Sequence, residues 1–156
     1  MFQSTKEYCH NLGFSVAFRQ WKAESRCRFG HGYSLAFKLV FEADELDHRG
    51  WVIDFGGLKP LKKWLEDTFD HKTLVASDDP YIAWFREGHR LGTIDMLEVE
   101  ATGCEMFAKM VFNRAEAWLI ENKHSPRVRL VSAEVKEHGA NSAVCLPEKK
   151  SCGCSC

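Results

Sequence analysis

The sequence predicts an α+β domain built on an antiparallel sheet, and three observations predict it. Residues 33–43 alternate with period two, placing Tyr33, Leu35, Phe37, Leu39 and Phe41 on one face. Residues 58–69 and 103–123 change to helical spacing. Strand patterns return at 94–100 and 128–135, so two strands, helical material and two strands around a helix follow one another.

Residues 12–21 (LGFSVAFRQW) carry β-forming aromatics and read as the first strand. After the 33–43 strand, the polar run Asp44–Gly50 ends in glycine and marks a turn. Trp51–Phe55 then reads as a short strand that completes a hairpin or meander. Leu58, Leu61, Trp64, Leu65, Thr68 and Phe69 form the apolar stripe of a first helix, with Pro60 tolerated in its first turn. Pro80–Arg90 reads as a short helix, with Asp78 or Asp79 as its cap and Gly92 beyond its end. Phe107, Met110, Val111, Trp118 and Leu119 mark the core face of the long helix, and the last strand follows Pro126. Residues 1–145 are expected to form one domain, and residues 146–156, rich in Lys, Ser, Gly and Cys, a tail.

Lys plus Arg number 21 and Asp plus Glu 22, a balance that argues against a nucleic-acid binder with a basic face. No apolar run approaches the roughly 20 residues of a membrane span. The polar start, Met1–Glu7, lacks the apolar core of a secretory signal, so a cytoplasmic location is expected. Seven cysteines with no such signal do not suggest a disulfide framework, and most are expected to be reduced. Cys145, Cys152, Cys154 and Cys156 crowd the C-terminus, where thiolates could hold a soft metal or form an incidental tail.

Cys27 and His31 stand just before the long strand, as a thiol and an imidazole that can serve acid–base or nucleophilic chemistry. Taken alone they also fit an ordinary loop cysteine and a solvated histidine. Asp70-His71 pairs a carboxylate with an imidazole it could orient, although adjacency does not guarantee contact. Glu105 alone reads as a charge favoured at a helix start, and Glu137 as a solvated strand end.

Together these fragments are specific. Cys27-x3-His31-Gly32-Tyr33, Gly50-Trp51-Val52-Ile53-Asp54-Phe55-Gly56-Gly57-Leu58-Lys59, Asp70-His71-x2-Leu74, Glu105 and Glu137 stand in an order that resembles the 6-pyruvoyl-tetrahydropterin synthase and 6-carboxytetrahydropterin synthase family. The resemblance implies the tunnelling fold, an antiparallel four-stranded sheet with helices packed on one face. It implies Cys27 as the catalytic cysteine, with Asp70 and His71 as its proton relay across a subunit boundary. It implies Glu105 and Glu137 at the pterin pocket, where a carboxylate suits the adjacent N–H donors of the ring. Glu134, three positions before Glu137, competes for the anchor.

The resemblance also implies zinc held by three histidines, and here the sequence departs from it. Phe18 and Tyr33 occupy two of the three positions, leaving His31. A catalytic zinc needs about three protein ligands plus water, so zinc is expected for the family and doubtful for this chain. Three functions stay open. The first is an enzyme acting on 7,8-dihydroneopterin triphosphate or a related pterin, which in the carboxy branch feeds 7-deazaguanine and queuosine synthesis. The second is a divergent pterin- or purine-binding homologue without zinc-dependent catalysis. The third is a non-catalytic assembly protein. The resemblance further implies self-association, as a hexamer built from trimers.

Overall fold

The computed structural model describes residues 1–148. Seven strands and three helices follow in the order β1 (Phe2–Tyr8), β2 (Phe14–Phe18), β3 (His31–Ala43), α1 (Lys59–Phe69), β4 (Lys72–Ala76), α2 (Ile82–Arg90), β5 (Met96–Val99), α3 (Cys104–Glu121), β6 (Val128–His138) and β7 (Asn141–Cys145). The thirteen-residue β3 is the spine. One of its edges pairs antiparallel with β1 over residues 37–43 and with β2 over residues 31–35. The break between β1 and β2 is a 3-10 turn at His10–Leu12 closed by Gly13 at φ 75°, a backbone that glycine adopts without a Cβ penalty. The other edge of β3 pairs with β6, which pairs with β7.

The predicted α+β class holds, but the sheet is mixed and seven-stranded rather than antiparallel and four-stranded. β4 runs parallel to β2, and β5 parallel to β4, giving the order β5-β4-β2-β3-β6-β7 with β1 beside β3. Three of these strands carry weak signals. Only Tyr8 of β1 is buried, β4 is five residues long directly after a helix, and β7 is a five-residue strand with no fully buried position. The predicted strand at Trp51–Phe55 is absent, for a physical reason. Asp47 accepts the Trp51 N–H at 2.9 Å, and Arg127 donates to the carbonyls of Trp51 and Val52 at 3.5 and 2.8 Å. Side chains thus take the backbone groups a sheet partner would need. Val52 and Ile53 still enter the core, and Asp54 caps a 3-10 turn at Phe55–Leu58 by accepting the Gly56 N–H at 2.8 Å.

The first strand shortens to Phe14–Phe18 because Gly13 and the turn before it bend the chain. The predicted helices stand within two or three residues of their expected bounds, and the last long strand extends to His138. Residues 149–156 of the predicted tail, with Cys152, Cys154 and Cys156, lie outside the described residues.

The core lies between one face of the sheet and helices α1 and α3. Phe14, Phe37, Phe69 and Phe107 interlock there with ring centroids 5.0–5.7 Å apart. Phe37, Phe69 and Phe107 are fully buried, and truncating one of them to alanine costs about 3–5 kcal/mol. Among the described residues no helix is long and apolar enough to cross a membrane.

Candidate active site

Antiparallel pairing puts directly opposed residues on one face. The register Phe14↔Leu35, Val16↔Tyr33 and Phe18↔His31 therefore gathers Phe18, His31 and Tyr33 at one end of the inner face. Their rings lie 4.8 Å (Phe18–His31), 5.6 Å (His31–Tyr33) and 6.1 Å (Phe18–Tyr33) apart. Phe18 is buried and packs edge-on against Phe107 of α3 at 5.0 Å. Gly32 between them is obligatory, because a Cβ there would stand 2.5 Å from the Val16 carbonyl oxygen.

The donor set can be read from these positions. His31 Nδ1 lies 2.7 Å from the Phe29 carbonyl, which can only accept, so Nδ1 carries a hydrogen and Nε2 is the only ring nitrogen left to offer a lone pair. The Phe18 ring has no lone pair to give. Burial first, then the charges of Glu137 and Cys27, push the Tyr33 hydroxyl above its ordinary pKa, so it is a neutral phenol near pH 7 and a poor metal ligand. Among the described residues no three His, Cys, Asp or Glu side chains converge to hold a metal ion. Phe18, His31 and Tyr33 do not together offer the three donors that a zinc site needs.

Cys27 sits half-buried in a 3-10 turn at Arg26–Arg28, near enough to Tyr33 to act on its charge. Its loop is held at both ends. The Gln20 N–H donates to the Cys27 carbonyl at 2.8 Å, and the Cys27 N–H donates to Ser25 Oγ at 3.3 Å. Behind it, Arg19 donates two bonds, of 2.8 and 2.7 Å, to Asp79, whose carboxylate is almost wholly buried. The guanidinium holds the Asp79 carboxyl below the usual range. Thr102 fixes the Arg19 carbonyl at 2.6 Å. Sequence reading proposes Asp79 only as a helix cap; its side chain does accept the Tyr81 N–H before α2, but its main partner is sixty residues away.

Glu137 lies at a bulge between Lys136 and His138, which re-aims side chains at the end of β6. It is half-buried, and its charge reaches both Tyr33 and Cys104. Glu105, exposed in the first turn of α3, also acts on Cys104. Cys104 itself is buried, donates its thiol to the Val135 carbonyl at 2.9 Å, and is pushed up to about 11 by burial, which makes it a structural thiol. Glu134 pairs across to Lys38 on the other face and acts on Lys136, so it does not compete with Glu137. The structure adds His138, whose ring lies 5.9 Å from Tyr33. No motif flags it, because it reaches the cluster only through the bulge.

Asp70 and His71 form a real pair. His71 Nδ1 bonds Asp70 Oδ1 at 2.8 Å, and Asp70 also accepts the Ser15 N–H at 3.2 Å. His71 has φ 57°, in the left-handed region, held by its own N–H donating to the Ser15 carbonyl at 2.6 Å. The imidazole is well exposed and lines a groove of about 580 Å³ with Ser15, Ala17, Gly32, Ser34 and Thr73, which Val16 and Tyr33 also border. Ser15 and Ala17 alternate with buried Phe14, Val16 and Phe18, so His71 stands on the face of β2 opposite the Phe18 ring. Among the described residues no hydrogen bond joins Cys27 to Asp70 or His71 within one chain.

Comparisons with known proteins bear on the family and the fold. A family model described as 6-pyruvoyl tetrahydropterin synthase matches residues 8–148. The 6-carboxy-5,6,7,8-tetrahydropterin synthase of Rickettsia conorii is 36% identical over 69 residues, 44% of this chain and 50% of that protein. The same-named protein of Rickettsia felis is 37% identical over 69 residues, with the same shares. The chain thus spans about half the length of the curated relatives it matches. An uncharacterized protein from Wolinella succinogenes has the same fold with TM-score 0.78 at 19% identity, covering 94% of this chain and 98% of that one. The 6-pyruvoyl tetrahydropterin synthase of Plasmodium falciparum gives TM-score 0.66 at 16% identity, covering 92% and 96%.

Proposed function

The chain belongs to the 6-pyruvoyl tetrahydropterin synthase family, and from that premise we propose that it binds a reduced pterin such as 7,8-dihydroneopterin triphosphate and acts on its side chain as a 6-carboxytetrahydropterin synthase-like protein, at a site completed by a second copy. The observation that carries this reading is that Cys27 and Glu137 both stand close enough to Tyr33 for their charges to act on it, with the hydrogen-bonded Asp70–His71 pair beside Ser15 of β2.

Glu137 supplies a carboxylate to the adjacent ring N–H donors, a charge-assisted bidentate pair of the strong and directional kind. Cys27 supplies the group that exchanges a proton with the pterin side chain. Asp70 fixes the His71 hydrogen on Nδ1, leaving Nε2 to take or return the Cys27 proton of a neighbouring subunit. An intact zinc in the family would polarise the side-chain oxygens. Phe18 and Tyr33 do not offer that metal a site, and no step here depends on it.

Phe18 also favours a second reading, in which the pterin or a purine-like ring binds without catalysis. Metal analysis of the purified protein, turnover of 7,8-dihydroneopterin triphosphate and pterin binding by fluorescence decide between them. Turnover with zinc far below one per chain supports the first reading. Pterin binding that disappears in Glu137→Ala, with no turnover, supports the second. Absence of pterin binding by the unmodified protein overturns both.

A further inference from the structure

The turn that carries Cys27 offers little buried surface to hold it. Cys27 is half-buried, and residues 24–26 and 28–30 on either side are exposed. Where few apolar contacts are buried, local opening costs little, so polar bonds must fix the thiol. One side chain gathers them. The Arg19 guanidinium donates from Nε and Nη2 to Asp79 at 2.8 and 2.7 Å, and from Nη1 to the Arg28 carbonyl at 3.4 Å. Its root at the end of β2 is fixed, because the Arg19 carbonyl accepts the Thr102 hydroxyl at 2.6 Å. Its partner is fixed as well. The Asp79 side chain is 1% exposed and accepts the Tyr81 N–H at 2.8 Å, and its own N–H donates to the Ala76 carbonyl at 3.0 Å. Asp78 beside it accepts from Trp21 Nε1 at 3.0 Å and from Lys22 Nζ at 2.5 Å. Two neighbouring carboxylates of the β4–α2 connection thus hold the Cys27 segment at Arg19, Trp21 and Lys22.

Resting on the reading of Cys27 above as the proton-exchanging group, we propose that Arg19 and Asp79 are positioning residues, which hold the Cys27 turn in one place against β2 and so set where the thiol stands. The choice of side chain supports this role. A lysine at position 19 could pair with Asp79, but only the planar guanidinium fork can serve Asp79 and the Arg28 carbonyl together. The Gln20 N–H then closes the segment by donating to the Cys27 carbonyl at 2.8 Å, one residue beyond Arg19 and one before Arg28. Neither Arg19 nor Asp79 needs to touch the ligand, and both act through the turn.

The test reads the thiol itself, without any pterin. Alkylation of the full chain by iodoacetamide is followed at each cysteine by mass spectrometry, with exposed Cys9 as the reference in the same sample. Arg19→Lys keeps the charge opposite Asp79 and loses the fork, whereas Asp79→Asn keeps the shape and loses the charge. Each should raise the ratio of the Cys27 rate to the Cys9 rate by about threefold to tenfold, the range of one lost hydrogen bond. Arg19→Lys decides even where Asp79→Asn fails to fold. Leu119→Ala, a cavity in the core at the far end of α3, is the control. It should lower the unfolding temperature and leave the ratio unchanged. An unchanged ratio in Arg19→Lys overturns the positioning role, and so does a rise in Leu119→Ala as large as that in Arg19→Lys. In turnover of 7,8-dihydroneopterin triphosphate, Arg19→Lys should lower kcat and leave KM unchanged. A loss in KM alone also overturns the role. A raised ratio with no turnover by the unmodified protein upholds the positioning of Cys27 and overturns the catalytic reading it serves.

Discussion

At the β2–β3 end of the sheet the inner face and the outer face carry different groups of candidate residues. The inner one is aromatic: Phe18, His31 and Tyr33 pack together, Phe18 lies edge-on against Phe107, and Cys27 and Glu137 stand close enough for their charges to act on Tyr33. The outer one is polar and open: small side chains floor a groove, and His71 stands over it in a left-handed backbone conformation. Both are built from residues of one motif set. The difference between them follows from the two-residue period of β2 and β3, which sends neighbours to opposite faces. On the proposed function, a proton relay between Cys27 and His71 calls for two copies of the chain, each giving one face.

The largest effect expected is in the test of that division. Cys27→Ala and His71→Ala should each lower turnover by about 100-fold or more. Refolding the two variants together should restore about a quarter of the sites, the statistical share of interfaces that receive both intact faces. No recovery in the mixture would place both groups in one chain's site.

The next effect concerns what holds the inner group. Asp79→Ala removes the buried partner of Arg19 and should destabilise the chain by about 3 kcal/mol in thermal or denaturant unfolding. The sign with pH follows from the lowered carboxyl. The pair's contribution is present above about pH 4 and is lost as pH falls below the ordinary carboxylate range. The exposed Lys62–Glu66 pair on α1 should contribute well under 1 kcal/mol by the same measurement. A loss from Asp79→Ala no greater than that would remove the anchor from the account of Cys27.

Geometry and donor chemistry can then be separated at the aromatic cluster. Phe18→His with Tyr33→His places imidazoles at all three converging positions, and the double variant should bind zinc at about one per chain by metal analysis. Phe18→His alone should cost about 2 kcal/mol as the metal-free form, because an imidazole replaces a buried phenyl ring. Failure of the double variant to gain zinc would show that the three positions, though close, lack the family's ligand geometry.

The smallest effect is a gain. His71→Gly relieves a left-handed conformation that is unfavourable for a side-chain-bearing residue, and should stabilise the chain by about 1 kcal/mol while abolishing the relay. A loss of stability would mean that the Asp70 contact outweighs the backbone strain.

Much of this was legible in the chain itself. Helices α1 and α3 and the strands β2, β3 and β6 follow from the spacing of apolar residues, since each buries a continuous face. Helix α2, which buries none of its residues, is read from its flanking Asp78, Asp79 and Gly92, and β5 from alternation alone. The identities of Cys27, Asp70, His71, Glu105, Glu137, Phe18 and Tyr33 stand in the sequence, and so does the argument against a three-histidine zinc, because a phenyl ring has no donor in any fold. Strands β1, β4 and β7 are short or exposed and leave little pattern to read. Val52 and Ile53 imitate a strand because burial, not pairing, selected them.

Only the tertiary structure decided which of these residues meet. The convergence of Phe18, His31 and Tyr33 depends on the β2–β3 register, and the arrival of His138 and Glu137 beside Tyr33 on a bulge in β6. The parallel placement of β4 on β2 carries Asp70 and His71 to the far face. The physical reason is that apolar periodicity is a property of each segment alone, whereas register and strand neighbourhood are set by contacts between segments far apart in the chain.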